Sequence, residues 1–168
     1  MDEILIILIS ISFFIILMVV FRLIMSSISE QKRIEENQRR RVEHQRRREA
    51  YIRALENNSL EVTPEQFFAL KNGSQLQDFT GVYILYNQTK QMYYVGQGKS
   101  VFKRVNAHFT GHGNGDVYAD YKYGDYFTIR MISLVNSGYN NLDELERQTI
   151  LAYNAYYEGY NRTRGNRG

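Results

Sequence analysis

A chain of 168 residues with no cysteine has neither a disulfide framework nor a thiolate metal site, so a bound metal must use oxygen or imidazole ligands. The formal charge of +3 points to nucleic acid only until it is divided by zone: residues 28–56 hold nine Lys or Arg against six Glu, and residues 57–168 hold eleven against ten acids. The last zone is close to neutral, so contact with a polyanion there must come from local clusters rather than from a global field.

Residues 1–27 are apolar. The run from Ile4 to Phe21 carries no charge, and Leu23 to Met25 extend it past Arg22. At 1.5 Å per residue, about twenty such residues cross a hydrocarbon core roughly 30 Å thick. A cleaved signal peptide wants a basic start, a shorter apolar core and a small-residue cleavage site, whereas Asp2 and Glu3 stand at this start. The zone therefore predicts a transmembrane anchor in contact with the lipid bilayer through residues 4–25. Only acids precede the span, while Arg22, Lys32, Arg33 and Arg39 to Arg41 follow it. That asymmetry predicts a single-pass protein of the cell membrane with its N-terminus outside and the remainder cytoplasmic.

Residues 28–56 hold too few apolar side chains for a core stripe. Glu35 and Arg39, Glu36 and Arg40, Glu43 and Arg47, and Glu49 and Arg53 are all spaced i, i+4 with the acid first, the favourable order on a helix. A charged, solvated helical stalk follows, with His44 as one of its solvated side chains. Its arginine triplets also suit anionic headgroups or nucleic-acid phosphates.

Residues 57–168 have the mixed, aromatic-rich make-up that buries a core. Thr63, Pro64 and Gln66 read as an N-cap, a first-turn proline and a capping-box partner, with Asn72 and Gly73 as the stop, so a short helix opens the domain. VYILYN and MYYVGQ, separated by a short polar turn, predict an antiparallel hairpin. Residues 100–109 predict a helix with Phe102, Val105 and Phe109 on one face. The glycine-rich stretch from Thr110 to Gly124 reads as a loop, YFTIRMISLV as a third strand, and Asn141 to Tyr157 as a final helix. The sum is an α+β domain with a three-stranded antiparallel sheet flanked by helices.

GQGKS at Gly96 to Ser100 ends like a phosphate-binding loop, but the full pattern needs glycine at position 93, where Tyr93 stands. On the final helix Glu146 lies one turn from Leu142 and from Ile150. Spacing alone leaves two readings open, a carboxylate at the edge of the stripe that reaches water, or one that binds a divalent cation in return for its desolvation. Arg104 and His108, i, i+4 on the preceding helix, share a face, and Tyr83 and Tyr94 stand on the two hairpin strands.

At these residues the sequence resembles the GIY-YIG nuclease family. Gly81, Val82 and Tyr83 match the first signature, and Tyr94, Val95 and Gly96 the second, with ten residues between the tyrosines. Arg104, His108, Glu146 with Ile150 four residues on, and Asn161 in GYN follow in family order over residues 80–163. The resemblance implies a DNA endonuclease using one Mg²⁺ or Mn²⁺ ion, with Glu146 as its direct protein ligand. It further implies Tyr83 as general base, Arg104 as stabiliser of charge on the phosphate, and Tyr94 and His108 orienting water or phosphate. Gly81 and Gly96 would shape the site and Asn161 would hold the last segment.

Val82 and Val95 replace isoleucines of the pattern, and Gln97 stands where a small polar residue is common. Homing members of the family carry a separate DNA-reading domain after the nuclease, so sequence specificity here falls to a protein partner or the stalk. The alternative is a non-catalytic membrane-anchored module that binds nucleic acid or protein through Lys99, Lys103, Arg162, Arg164 and Arg167.

Overall fold

The computed structural model describes residues 2–73 and 77–165. Contacts divide the chain into two units, residues 1–47 and residues 48–168.

A helix, α1, runs unbroken over Asp2–Asn57. No glycine or proline interrupts those residues, so nothing separates the apolar zone from the charged one. In the first unit the large apolar side chains from Phe13 to Met25 are exposed. By length and composition the helix can cross a membrane. Beyond that stretch Glu36 bonds Arg40 at 2.6 Å and Glu43 bonds Arg47. Such exposed pairs contribute only about 0.3–0.5 kcal/mol each.

The second unit opens on the last turns of α1. Leu55 is buried, with Tyr51 and Ile52 packed beside it, and Arg48 Nε donates to the Ala152 carbonyl. These three side chains form a stripe too short to register against the charge around it. There follow β1 (Leu60–Val62), α2 (Pro64–Asn72), β2 (Gly81–Asn87), β3 (Met92–Gly98), α3 (Val101–Phe109), α4 (Gly115–Lys122), β4 (Phe127–Ser133) and α5 (Leu142–Ala152).

The sheet has four strands in the order β1-β4-β2-β3, all antiparallel, where the sequence predicts three. The missed strand, β1, spans three residues and buries only Val62, too little for an alternating pattern to show. The stretch read as a loop holds α4, whose N-cap Asn114 accepts from the Asp116 and Val117 N–H groups. Four glycines around it and a single buried anchor, Val117, conceal the helical signal. The last helix stops at Ala152 rather than near Tyr157, because Asn154 takes the left-handed conformation, φ 54°.

One face of the sheet buries Tyr83, Leu85, Ile129 and Met131 against Phe67 of α2, Val101, Phe102 and Val105 of α3, and Val117 of α4. The other buries Val82, Ile84, Val95 and Ile132 against Leu145 and Ile150 of α5 and Leu55 of α1. The core is thus two layers on either side of one sheet, and β3 is an edge strand with α3 on one face and α5 on the other.

Candidate active site

On the hairpin Tyr83 stands opposite Gly96 and Leu85 opposite Tyr94. Alternate residues of a strand share a face, so Tyr83, Tyr94 and Gly96 all point toward α3, the two rings diagonal to each other with centroids 6.2 Å apart. α3 sets His108 against both: its ring centroid is 4.6 Å from that of Tyr94, and its Nε2 is 2.9 Å from the Tyr83 hydroxyl. Gly96 leaves the room this requires, since a Cβ there would stand 2.3 Å from the Tyr83 hydroxyl oxygen. Gly81 acts elsewhere, letting β2 approach β4: a Cβ would meet the Ile132 carbonyl oxygen at 2.1 Å.

Arg104 lies one turn before His108, exposed, its stem crossing Gly98. Its charge acts on all three rings. Burial raises the Tyr83 phenol above its ordinary pKa and Tyr94 adds to the rise, while the charge and hydrogen bond of Arg104 oppose it. Tyr94 is raised by burial too, opposed first by Arg104. Tyr83 is 0% exposed and protonated at neutral pH, so Arg104 by itself does not offset the desolvation of a phenolate.

His108, 1% exposed, is pulled down to about 4 by burial and then by Arg104. The Asn114 N–H donates to its Nδ1 at 2.9 Å, so Nδ1 is an acceptor and the neutral ring carries its proton on Nε2, donating to the Tyr83 oxygen. Protonating Nδ1 would break the Asn114 bond. The folded value lies below the ordinary 6.5, so between the two the unfolded chain binds more proton. The stabilisation is full above pH 6.5 and is lost as pH falls toward 4. Wild type should lose roughly 3 kcal/mol more stability between pH 7 and pH 4 than His108→Gln does, measured by denaturant unfolding.

Glu146, half-buried on α5, comes from the other face of the edge strand. Gln97 points to that face, and its Nε2 donates to Glu146 Oε2 at 3.2 Å and to Asp143 Oδ1. The charge of Glu146 contributes to the raised pKa of Tyr94, so the carboxylate and that tyrosine are electrostatic neighbours around β3. Among the described residues no group of three or more His, Cys, Asp and Glu is arranged to hold a metal. Glu146, with Asp143 nearby, fits only an ion that takes oxygen ligands and keeps most of its waters, as Mg²⁺ and Mn²⁺ do.

Asn161 clamps β3 from outside: its Oδ1 accepts the Val95 N–H at 2.8 Å and its Nδ2 donates to the Val95 carbonyl at 2.7 Å. With the Tyr160 N–H on the Tyr93 carbonyl, the last segment covers the open edge of the strand. Lys99 and Lys103 are exposed beside Arg104 in sequence. Arg162 pairs with Asp116 at 3.0 Å, and Arg164 stacks over Tyr156 and Tyr157, so these two cations lie on other elements. Arg167 lies outside the described residues.

Sequence reading missed three contributors. Asp143 was detectable three residues before Glu146 on the same helix. Asn114, which sets the His108 tautomer, was hidden among the glycines. Asp78 accepts the Phe102 N–H at 2.9 Å and the Ser100 hydroxyl, so a carboxylate of the chain itself occupies the α3 N-terminus after the GQGKS sequence.

Residues 79–161 match the family model of the GIY-YIG catalytic domain. No curated protein and no solved structure matches the chain.

Proposed function

With residues 79–161 a GIY-YIG catalytic domain, we propose that this protein is a membrane-tethered endonuclease that hydrolyses DNA phosphodiester bonds with low sequence specificity, using one divalent cation. The observation that carries the reading is the Tyr83 hydroxyl held by His108 Nε2 at 2.9 Å, in the charge of Arg104, with Glu146 across the edge strand.

A bound Mg²⁺ or Mn²⁺ ion supplies positive charge that acidifies water and offsets charge on the phosphate. Glu146 would hold it through carboxylate oxygen, oriented by Gln97. Arg104, exposed at the mouth of the site, stabilises the charge that builds on the non-bridging oxygens. Tyr94, less buried than Tyr83, orients the water. Positive charge beyond that of Arg104 would bring the Tyr83 pKa down so that it first releases its own proton to solvent; the His108 Nε2–H steadies that phenolate oxygen, which then takes the proton of the attacking water. The water oxygen bonds to phosphorus as the ester P–O bond breaks, and solvent protonates the leaving oxygen.

The exposed apolar part of α1 supports an anchor in the bilayer through residues 4–25, and the basic residues after it support a cytoplasmic catalytic domain. Lys99, Lys103, Arg162 and Arg164 would contact DNA phosphates, and a protein partner would supply what specificity there is. A second reading, a tethered module that binds nucleic acid or protein without cutting, draws on the complete burial of Tyr83.

Incubating the full-length protein with plasmid DNA separates the two. The nuclease nicks or cuts with Mg²⁺ or Mn²⁺ and stops with a chelator. Retention of intact plasmid in both conditions would favour the binding module.

A further inference from the structure

Between the C-terminal half of α5 and the segment that follows it, outside the residues given catalytic roles, lies a groove of about 260 Å³ lined by Arg147, Ile150, Leu151, Tyr156, Tyr157 and Arg164. Its floor is apolar and open to solvent: Leu151 is 58% and Tyr157 63% exposed. The Arg164 guanidinium lies 5.3 Å over the Tyr156 ring and 5.2 Å over the Tyr157 ring, and it also donates to the Tyr157 hydroxyl. The guanidinium is therefore fixed in place before any ligand arrives, against two tyrosine rings set edge to face, and Arg147 also lines the groove.

We propose that this groove binds an unpaired nucleobase of the DNA strand, with the adjoining phosphates on Arg147 and Arg164, and that the substrate is accordingly single-stranded or frayed DNA. The proposal rests on the nuclease reading of the neighbouring site. Two features select this occupant. Two arginines lining an apolar groove with exposed tyrosine rings call for a ligand that is anionic and flat at once, as a nucleotide is. The groove also shares a helix with the candidate site: Arg147 directly follows Glu146 on α5, and Ile150 lies about one turn, roughly 5.4 Å, beyond Glu146. A strand whose scissile phosphate sits at Glu146 thus has a neighbouring nucleotide within reach of the groove. A paired base, stacked on both faces, has no face to offer it, whereas stacking on aromatic and guanidinium planes is how unpaired bases are held.

The test is a binding measurement without cleavage. The full-length protein in detergent micelles, with chelator present, is titrated into a fluorescently labelled single strand of about 12 nucleotides, its duplex, and an abasic strand of the same length. The expected result is that the single strand binds at least about tenfold more tightly than the duplex or the abasic strand. Tyr157→Ala should weaken single-strand binding about tenfold while leaving duplex binding within about twofold, and Tyr157→Phe should retain it because the ring remains. Equal binding of abasic and normal strands would show that charge alone fills the groove, and displacement by polyglutamate as readily as by unlabelled strand would assign it to an acidic polypeptide. Either result, or wild-type single-strand affinity in Tyr157→Ala, overturns the proposal. No cleavage is read, so a failure of the nuclease assay and a failure here are separate outcomes.

Discussion

If the proposed nuclease reading holds, Glu146→Gln should abolish metal-dependent cleavage, with the rate down at least about 10³-fold, equivalent to roughly 4 kcal/mol of lost transition-state stabilisation. The substitution keeps the volume of the side chain and an oxygen for Gln97 to bond, so the unfolding midpoint should stay close to that of wild type. What it removes is the negative charge on which the proposed cation site depends. Raising the Mn²⁺ concentration should recover part of the rate if the ion is still directed there by Asp143. An unchanged rate in Glu146→Gln at low Mg²⁺ would remove the carboxylate from the mechanism. Plasmid cleavage alongside denaturant unfolding provides both readouts.

Arg104→Ala should lower kcat by about 10²- to 10³-fold, the usual cost of removing a donor aimed at developing charge. Arg104 is exposed, so stability should change little. The variant has a second signature. Arg104 is the second cause of the depressed His108 pKa and the leading opponent of the raised Tyr83 and Tyr94 values. Its removal should therefore move His108 up toward its ordinary value, a shift that NMR titration can follow. A loss of rate with the His108 titration unmoved would place Arg104 on the DNA and not at the rings.

The elements that carry the candidate site were the ones most legible in sequence. Tyr83 and Tyr94 lie on strands rich in aromatic and β-branched residues, Arg104 and His108 on a helix with a clear apolar face, and Glu146 on a helix entered by an asparagine cap. Pattern fails where the physical cause is not local. β1 exists because β4 offers it an edge, and three residues cannot announce that. α4 depends on one side chain, Asn114, which caps the helix while its own backbone N–H sets the tautomer of His108. Periodicity could not show that Gln97 bridges Glu146 and Asp143, because it is the sheet that brings β3 against α5. The burial that raises Tyr83 was equally out of reach, since strand tyrosines of the same pattern, such as Tyr86, remain partly exposed.

The proposed chemistry requires a cation at Glu146, across β3 from Tyr83 and electrostatically close to Tyr94. Anomalous diffraction from crystals grown with Mn²⁺ tests it most directly. A peak within coordination distance of a Glu146 carboxylate oxygen, absent in Glu146→Gln, is the predicted result. A Mn²⁺ peak elsewhere on the domain, with none at Glu146, would contradict it.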